Sequence, residues 1–317
     1  MRKDITILTL ILLISLPSVC AKGDIQILSD IAPNIEVGPN DKELHRLRGL
    51  HSMLSKCGNI NDRTAIIRYY LGYFPKQKDA VCATLGSLFA DEFALATTAQ
   101  PKKDFCGTMD AIIFAAYLEQ IPEYQSSTIK AGIQNMLDSL EQVYETTHFY
   151  IHYTLSDETT IEFITNLASL AEFSWQKQVA EWGYKAPQPY LSLKYNIYVQ
   201  EDVPSKCEPS LFSSYIIIRP EDTGFYPSTG DNSQLLTTIS HEFHHACQNQ
   251  YLPLTLITQK WVAEGSARWM QHETMRSHPD FSTGEPLGMQ HPLAGWEYQM
   301  WYTLSRAFLD LKTKSLS

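Results

Sequence analysis

The spacing of apolar positions changes near residue 146 and predicts two regions of different structure. Up to Tyr144, apolar residues recur at intervals of three and four, the period of amphipathic helices, and prolines separate the helical runs. After Thr147, apolar and polar residues alternate, which is the period of a β-strand. The alternating apolar positions are Phe149, Ile151 and Tyr153. We therefore expect a helical N-terminal region over residues 22–145 and an α+β domain with a mixed sheet over residues 146–317.

The α+β region has a predictable order of elements. We expect a long helix from about residue 157 to 182, strands near 191–200 and 213–219, and then two further helices. The first of these two ends near Gln250, because Pro253 follows it, and the second runs from about 258 to 276. The long helix should turn inward Ile161, Ile164, Leu167, Ala171, Trp175 and Val179. The helix before Gln250 has a buried stripe of Leu236, Ile239, Phe243 and Ala246.

That helix also carries the chain's most informative motif, the H-E-x-x-H sequence of residues 241–245. His241 and His245 lie one helical turn apart on one face, so both imidazoles can reach a single ion. Glu242 projects about 100° round the helix from His241. It is therefore poorly placed as a ligand but well placed to act as general base on a water.

A third ligand is predicted on the following helix. Glu264 stands 19 positions beyond His245 in the run W-V-A-E-G. Catalytic zinc takes three protein ligands and keeps a fourth position for water. The residues His241, His245 and Glu264 therefore form a candidate zinc site. The alternative is an ordinary amphipathic helix that happens to carry two surface histidines.

These residues and their spacing resemble the gluzincins, zinc peptidases whose third ligand is a downstream glutamate. The run 261–267 is similar to the W-x-x-E-G-x-A segment of several gluzincin families. The stretch from His148 to about Met270 more closely resembles a family of secreted bacterial metalloproteases, through the segments H-F-Y-I-H-Y-T (148–154), Y-I-I-I-R-P (215–220) and H-E-F-H-H-A-C-Q (241–248). The resemblance implies a zincin-like fold, zinc bound by His241, His245 and Glu264, and Glu242 as the catalytic acid and base. It covers roughly 40% of the chain.

The chain departs from the gluzincin pattern at three places. It has no G-x-M-E-N segment, which grips the substrate amine in aminopeptidases of this type. Ala263 stands where asparagine is common, and Arg268 stands where thermolysin-like enzymes place an aspartate that orients a histidine ligand. Side chains that orient ligating histidines fix the tautomer, and the sequence does not reveal which residue does so here.

The gluzincin comparison also gives the strand at 215–218 a candidate role. In that family the strand before the metal helix borders the cleft and pairs with an extended substrate, by β-augmentation. The alternative is a buried strand, which the apolar run Ile216-Ile217-Ile218 also fits. Candidates for stabilising the oxyanion are Tyr298, Tyr302 and His291, none of which can be assigned.

The first 21 residues read as a signal peptide. Arg2 and Lys3 precede a short apolar run, and small residues stand before position 22. The run is too short to span a bilayer comfortably, and no other segment is long and apolar enough. A lipid anchor at Cys20 is the less favoured alternative. We expect a secreted protein, extracellular or periplasmic.

The net charge limits the classes of partner, and the cysteine content limits the number of disulfides. Removal of residues 1–21 takes away two basic residues and one acidic residue, leaving 23 basic and 34 acidic residues, a net charge of −11. This disfavours nucleic acid and anionic membranes as partners. Five cysteines remain, enough for up to two disulfides whose pairing the sequence does not fix. They are Cys57, Cys82, Cys106, Cys207 and Cys247.

The sequence therefore predicts a secreted zinc metallopeptidase, an endopeptidase acting on protein or peptide substrates. Two alternatives remain open: a non-catalytic binding protein on a zincin scaffold, and a zinc hydrolase of a non-peptide substrate. The helical region 22–145 is interpreted either as an accessory subdomain or as a propeptide removed on activation.

Overall fold

The computed structural model describes residues 42–86, 88–98, 107–190, 192–209, 213–224, 232–251 and 260–280. The predicted signal peptide, Cys20, Cys106 and the candidate residues His291, Tyr298 and Tyr302 lie outside these ranges. The described residues form two compact units, one of residues 42–98 and 114–134 and one of residues 107–113 and 135–280. The predicted boundary after residue 145 stays a prediction.

The first unit is helical, as the spacing of its apolar residues predicts. The α-helices of residues 42–137 are α1 Lys42–Lys56, α2 Ile60–Tyr73, α3 Lys78–Leu85, α4 Ala90–Thr98, α5 Thr108–Leu118 and α6 Glu123–Leu137. Helix α2 shows why they form. The side chain of Asn59 caps its first turn by accepting from the amide of Asp62. Its buried residues include Ile66, Tyr69, Tyr70 and Tyr73, which recur at spacings of three and four.

The second unit is built on a five-stranded mixed sheet. Its strands are β1 Gln142–Glu145, β2 Phe149–Tyr153, β3 Tyr195–Val199, β4 Lys206–Pro209 and β5 Ser214–Ile218. They lie in the order β1-β2-β3-β5-β4. Strands β2, β3 and β5 run parallel, and β1 and β4 pair antiparallel at the two ends. The chain is therefore an α+β protein with a helical N-terminal region.

Two strands were not predicted. Strand β1 falls where the sequence predicts helix, and that prediction is wrong. Its residues are mostly exposed, so its sequence lacks the alternation of apolar and polar residues that predicts a strand. Pairing with β2 decides its conformation. Strand β4 was missed because Lys206 and Glu208 interrupt any apolar pattern and Pro209 ends it.

The expected cleft-bordering role of residues 215–218 is also wrong. Strand β5 lies between β3 and β4, and all five of its residues are buried. Both of its backbone edges are taken by neighbouring strands, so it has no free edge for a substrate. The alternative of a buried strand is confirmed, and the end position belongs to β4.

Three long helices accompany the sheet. They are α7 Ile161–Trp175, which continues as a π-helix Gln176–Glu181, α8 Ser233–Gln248 and α9 Lys260–Ser277. The predicted stripe of α8 is confirmed, because Leu236, Ile239, Phe243 and Ala246 are all fully buried in the main core. Ile161 is 50% exposed, against prediction. It is the first residue of α7, directly after the N-cap Thr160, and does not reach the sheet.

Candidate metal centre

Helix α8 brings the two motif histidines together. The Nε2 atoms of His241 and His245 lie 3.2 Å apart, and the rings meet nearly edge to face at 82°. The side chain of His245 is fully buried and that of His241 is 10% exposed. This is the geometry that the i, i+4 spacing predicts for two ligands of one ion.

Helix α9 packs against α8 and adds the third group. The carboxylate of Glu264 places Oε2 at 3.4 Å from Nε2 of His241 and Oε1 at 3.5 Å from Nε2 of His245. Ligand atoms about 2.0–2.1 Å from a tetrahedral zinc lie about 3.3 Å from one another. The three distances between these groups are close to that value. His241, His245 and Glu264 could therefore hold a metal ion.

The electrostatics of the cluster are those of a site for a cation. Burial alone would raise the pKa of Glu264, but the imidazoles of His241 and His245 beside the carboxylate hold that pKa well below its usual range. Burial alone would lower the pKa of His245, yet Glu264 and then Glu242 outweigh it and the pKa is raised. The Oε1 atom of Glu264 is buried without a hydrogen bond. A buried carboxylate oxygen with no donor fits the ligand of a cation.

The residue that orients His245 is Gln248, on the same helix. Its Oε1 lies 2.8 Å from Nδ1 of His245, and its Nε2 donates to the carbonyl of Ala263 at 3.0 Å. A backbone carbonyl only accepts hydrogen bonds. The amide nitrogen of Gln248 must therefore face Ala263, and its oxygen must face the histidine. Nδ1 of His245 then carries the proton, which leaves the lone pair of Nε2 for a metal.

Gln271 has the corresponding place beside His241. Its Oε1 lies 3.2 Å from Nδ1 of His241, while Nε2 of the same ring faces Glu264 and His245. Gln271 stands seven positions beyond Glu264 on α9, two turns along the same face. Arg268, which stands where thermolysin-like enzymes place an aspartate, is exposed. Both glutamines lie at helical spacings from a ligand, Gln248 three positions after His245 and Gln271 seven positions after Glu264. Glutamine is not a residue type that by itself indicates a metal site, so the sequence did not single them out.

Glu242 is not part of the metal-ligand group. Its Oε2 accepts from the hydroxyl of Thr108 and from the amide of Cys207, each at 2.8 Å. Thr108 opens α5, and Cys207 lies on β4 at the end of the sheet. The carboxylate is buried, with the residue only 2% exposed. Thr108 was missed entirely, because it is 134 positions from Glu242 in the chain.

The two ionisable side chains that flank Cys207 on β4, those of Lys206 and Glu208, are also buried. Lys206 is 2% exposed, and its Nζ lies 3.6 Å from Oε2 of Glu208. Burial lowers the pKa of Lys206 to about 8, although the carboxylates of Glu208 and Asp110 act in the opposite direction. Asp110 belongs to the first turn of α5. Ionisable side chains of α5 and β4 therefore interact in a buried environment.

The other histidines of this unit have separate structural partners. The third histidine of α8, His244, lies with Nδ1 3.1 Å from Oε1 of Gln178, whose Nε2 donates to the carbonyl of Ser240. Burial and the neighbouring histidines hold the pKa of His244 well below its usual value. His148 pairs with Glu172 at 2.6 Å, and His152 stacks on Tyr198. His148 and His152 do not share a site, as their strand spacing predicts.

The cysteines outside Cys106 form no disulfide among the described residues. Cys57, Cys207 and Cys247 are buried thiols and Cys82 is half-buried. Cys247 is fully buried in the main core, so its place on α8 is a packing position. In the described part of the chain, no helix is both long and apolar enough to cross a membrane.

Comparisons of the whole chain with protein-family profiles, with curated proteins and with solved structures find no match.

Proposed function

We propose that this protein is a secreted zinc metallopeptidase with a zincin-like catalytic unit, of the gluzincin type. The observation that carries the proposal is the near-tetrahedral spacing of His241, His245 and Glu264, with a further carboxylate, Glu242, beside the first histidine. The predicted signal peptide and the resemblance of the H-E-x-x-H and W-x-x-E-G-x-A segments support it.

Zinc is the ion that this donor set favours. Two imidazole nitrogens and one carboxylate oxygen are the ligands of many catalytic zinc sites. The absence of a thiolate from the group argues against a soft-metal site, and the two imidazoles argue against calcium or magnesium. The amides of Gln248 and Gln271 lie beside Nδ1 of the two histidines, so that both Nε2 atoms face a shared position for an ion.

The protein's residues have distinct roles in the proposed hydrolysis. When bound, zinc supplies Lewis-acid polarisation of the scissile carbonyl and eases the ionisation of water. Glu242 takes the proton from the attacking water and delivers it to the leaving amine. His241, His245 and Glu264 hold the ion, and the two glutamines hold the histidine rings in register.

One observation favours the non-catalytic alternative. Glu242 is 2% exposed and its Oε2 already accepts two hydrogen bonds. A general base must reach the proton that it abstracts. A binding protein on the same scaffold would have no need of an accessible Glu242.

Hydrolysis assays separate these functions. Zinc-loaded protein is incubated with an unstructured protein substrate, with a peptide library and with a panel of esters. We expect peptide-bond cleavage that Glu242→Gln abolishes while zinc stays bound. The matched control is His272→Ala, which removes a histidine of α9 that lies outside the ligand group. Cleavage that survives in Glu242→Gln would contradict the assigned base, and hydrolysis of esters alone would contradict the peptidase.

A further inference from the structure

The beginning of α5 lies against the outer side of β4. We call residues 107–112 the edge clasp. The amide of Gly107 donates to the carbonyl of Ser205 at 3.1 Å. Two positions further along the strand, the amide of Cys207 points away from β5, toward Oγ1 of Thr108 at 2.9 Å and Oε2 of Glu242 at 2.8 Å. The clasp therefore occupies two backbone groups at the start of β4, the carbonyl of Ser205 and the amide of Cys207, that an added strand would use.

The approach of the clasp to β4 is close. A Cβ atom at Gly107 would lie 3.2 Å from Cβ of Lys206 and 3.2 Å from the carbonyl oxygen of Ser205. Such distances are at the short end of real contacts, and glycine permits them because it has no side chain. There is no room for a second backbone between the clasp and this part of β4.

Thr108 joins the clasp to the proposed base. Its hydroxyl donates to Glu242 and accepts from the amide of Cys207, so the three atoms form a closed triangle with sides of 2.8 to 2.9 Å. Thr108 is 1% exposed. The same residue therefore covers both the strand edge and the carboxylate.

Charge and packing hold the clasp in place independently of Thr108. The carboxylate of Asp110 interacts electrostatically with the buried Nζ of Lys206 on β4. Ile112 packs against Ala263, the residue before Glu264, and both are nearly fully buried. The clasp thus contacts β4, α8 and α9.

We infer that the edge clasp is an autoinhibitory element, and that the described conformation is the latent form of the enzyme. Release of the clasp from β4 exposes the carbonyl of Ser205 to an extended peptide, and takes the Thr108 hydroxyl away from both Glu242 and the amide of Cys207. The substrate class is then an unfolded or extended segment bound through its main chain. This inference rests on the proposed peptidase function.

Two single substitutions loosen the clasp in different ways. Thr108→Val keeps the shape of the side chain and removes the hydroxyl, and Asp110→Asn removes the charge that faces Lys206. Thr108→Ser keeps the hydroxyl. Thr274→Val is the matched control, because it also removes a buried hydroxyl of this unit, one that donates to Met270 within α9.

Two measurements are made on each zinc-loaded protein. Amide hydrogen exchange is followed by mass spectrometry over peptides that contain residues 107–112 and 203–209. The kcat/KM for an unstructured protein substrate is measured beside it. Loss of one hydrogen bond of about 1 kcal/mol should raise the open fraction roughly fivefold. In each of Thr108→Val and Asp110→Asn, the exchange rate and kcat/KM should rise together by one common factor. In Thr108→Ser and Thr274→Val, both quantities should stay at their wild-type values.

The outcomes separate the two proposals. Unchanged exchange in both Thr108→Val and Asp110→Asn would overturn the clasp. A lower kcat in Thr108→Val, restored by Thr108→Ser at equal zinc content, would also overturn it and make Thr108 a positioning residue for Glu242. If amide exchange becomes faster but no zinc-loaded variant hydrolyses the substrate, the result would confirm that the edge clasp covers β4. It would overturn the proposed peptidase function instead.

Discussion

The side-chain oxygen of Gln248 lies 2.8 Å from Nδ1 of His245, and its amide nitrogen donates to a carbonyl of the neighbouring helix α9. One amide therefore ties a ligand on α8 to the backbone beside the ligand on α9. It fixes the protonated nitrogen of His245 as well as the angle of the ring.

We predict that Gln248→Leu weakens zinc binding by about 10- to 100-fold, the range found when partners of ligating histidines are removed. The leucine has similar size but cannot accept from Nδ1. Affinity is measured by competition with a chromophoric chelator. Gln176→Leu, at an exposed position of the π-helix, is the control. Equal affinities for the two variants would show that Gln248 does not orient the ligand.

Zinc binding should release protons from the metal-binding histidines. Because Glu264 and Glu242 raise the pKa of His245 above its usual value, despite burial, the metal-free ring is protonated over a wider pH range than an ordinary histidine. Zinc requires the neutral ring. Affinity should therefore fall as the pH drops through and below this raised pKa. Calorimetry in two buffers of different ionisation enthalpy counts the protons, and no dependence on buffer would contradict the assignment.

Glu264→Ala should lower the zinc content of the protein with little loss of fold. The carboxylate supplies one of three ligand positions, and its own pKa is held well below the usual range by the two histidines. Zinc per chain and the far-ultraviolet circular dichroism spectrum are measured on the same sample. An unchanged zinc content in the variant would remove Glu264 from the ligand set.

The core beneath the metal helix should be sensitive to truncation. The fully buried ring of Phe243 packs against Phe149 and Trp175 at centroid distances of 5.7 Å. We predict that Phe243→Ala lowers the free energy of unfolding by about 3–5 kcal/mol, through lost burial and the cavity left behind. Leu193→Ala, at a position 93% exposed, should change it by less than about 0.5 kcal/mol. Denaturant unfolding of both variants tests this, and a small effect at Phe243 would contradict the packing.

The sequence was most informative where a function depends on spacing within one helix. The i, i+4 pair His241 and His245 and the stripe of α8 follow from helical geometry, and the structure has both. Glu264, 19 positions beyond His245, was predicted as a third ligand on the following helix, and α9 packs against α8 so that its carboxylate lies beside both imidazoles.

Local pattern was uninformative where a long-range contact decides the structure. Strand β4 is polar and short, and its place at the end of the sheet depends on pairing with β5. The contact of Thr108 with Glu242 joins residues 134 positions apart, and the local sequence of neither residue predicts it. The exposed strand β1 was not predicted for the same reason, because its pairing with β2 is what makes it a strand.

The most direct test of the account is the metal content of the secreted protein beside that of His245→Ala. The His241–His245–Glu264 group predicts about one zinc per chain in the wild type and a clear loss in the variant. The absence of zinc from both proteins, even after reconstitution, would contradict a metal centre and leave H-E-x-x-H as a structural segment of α8.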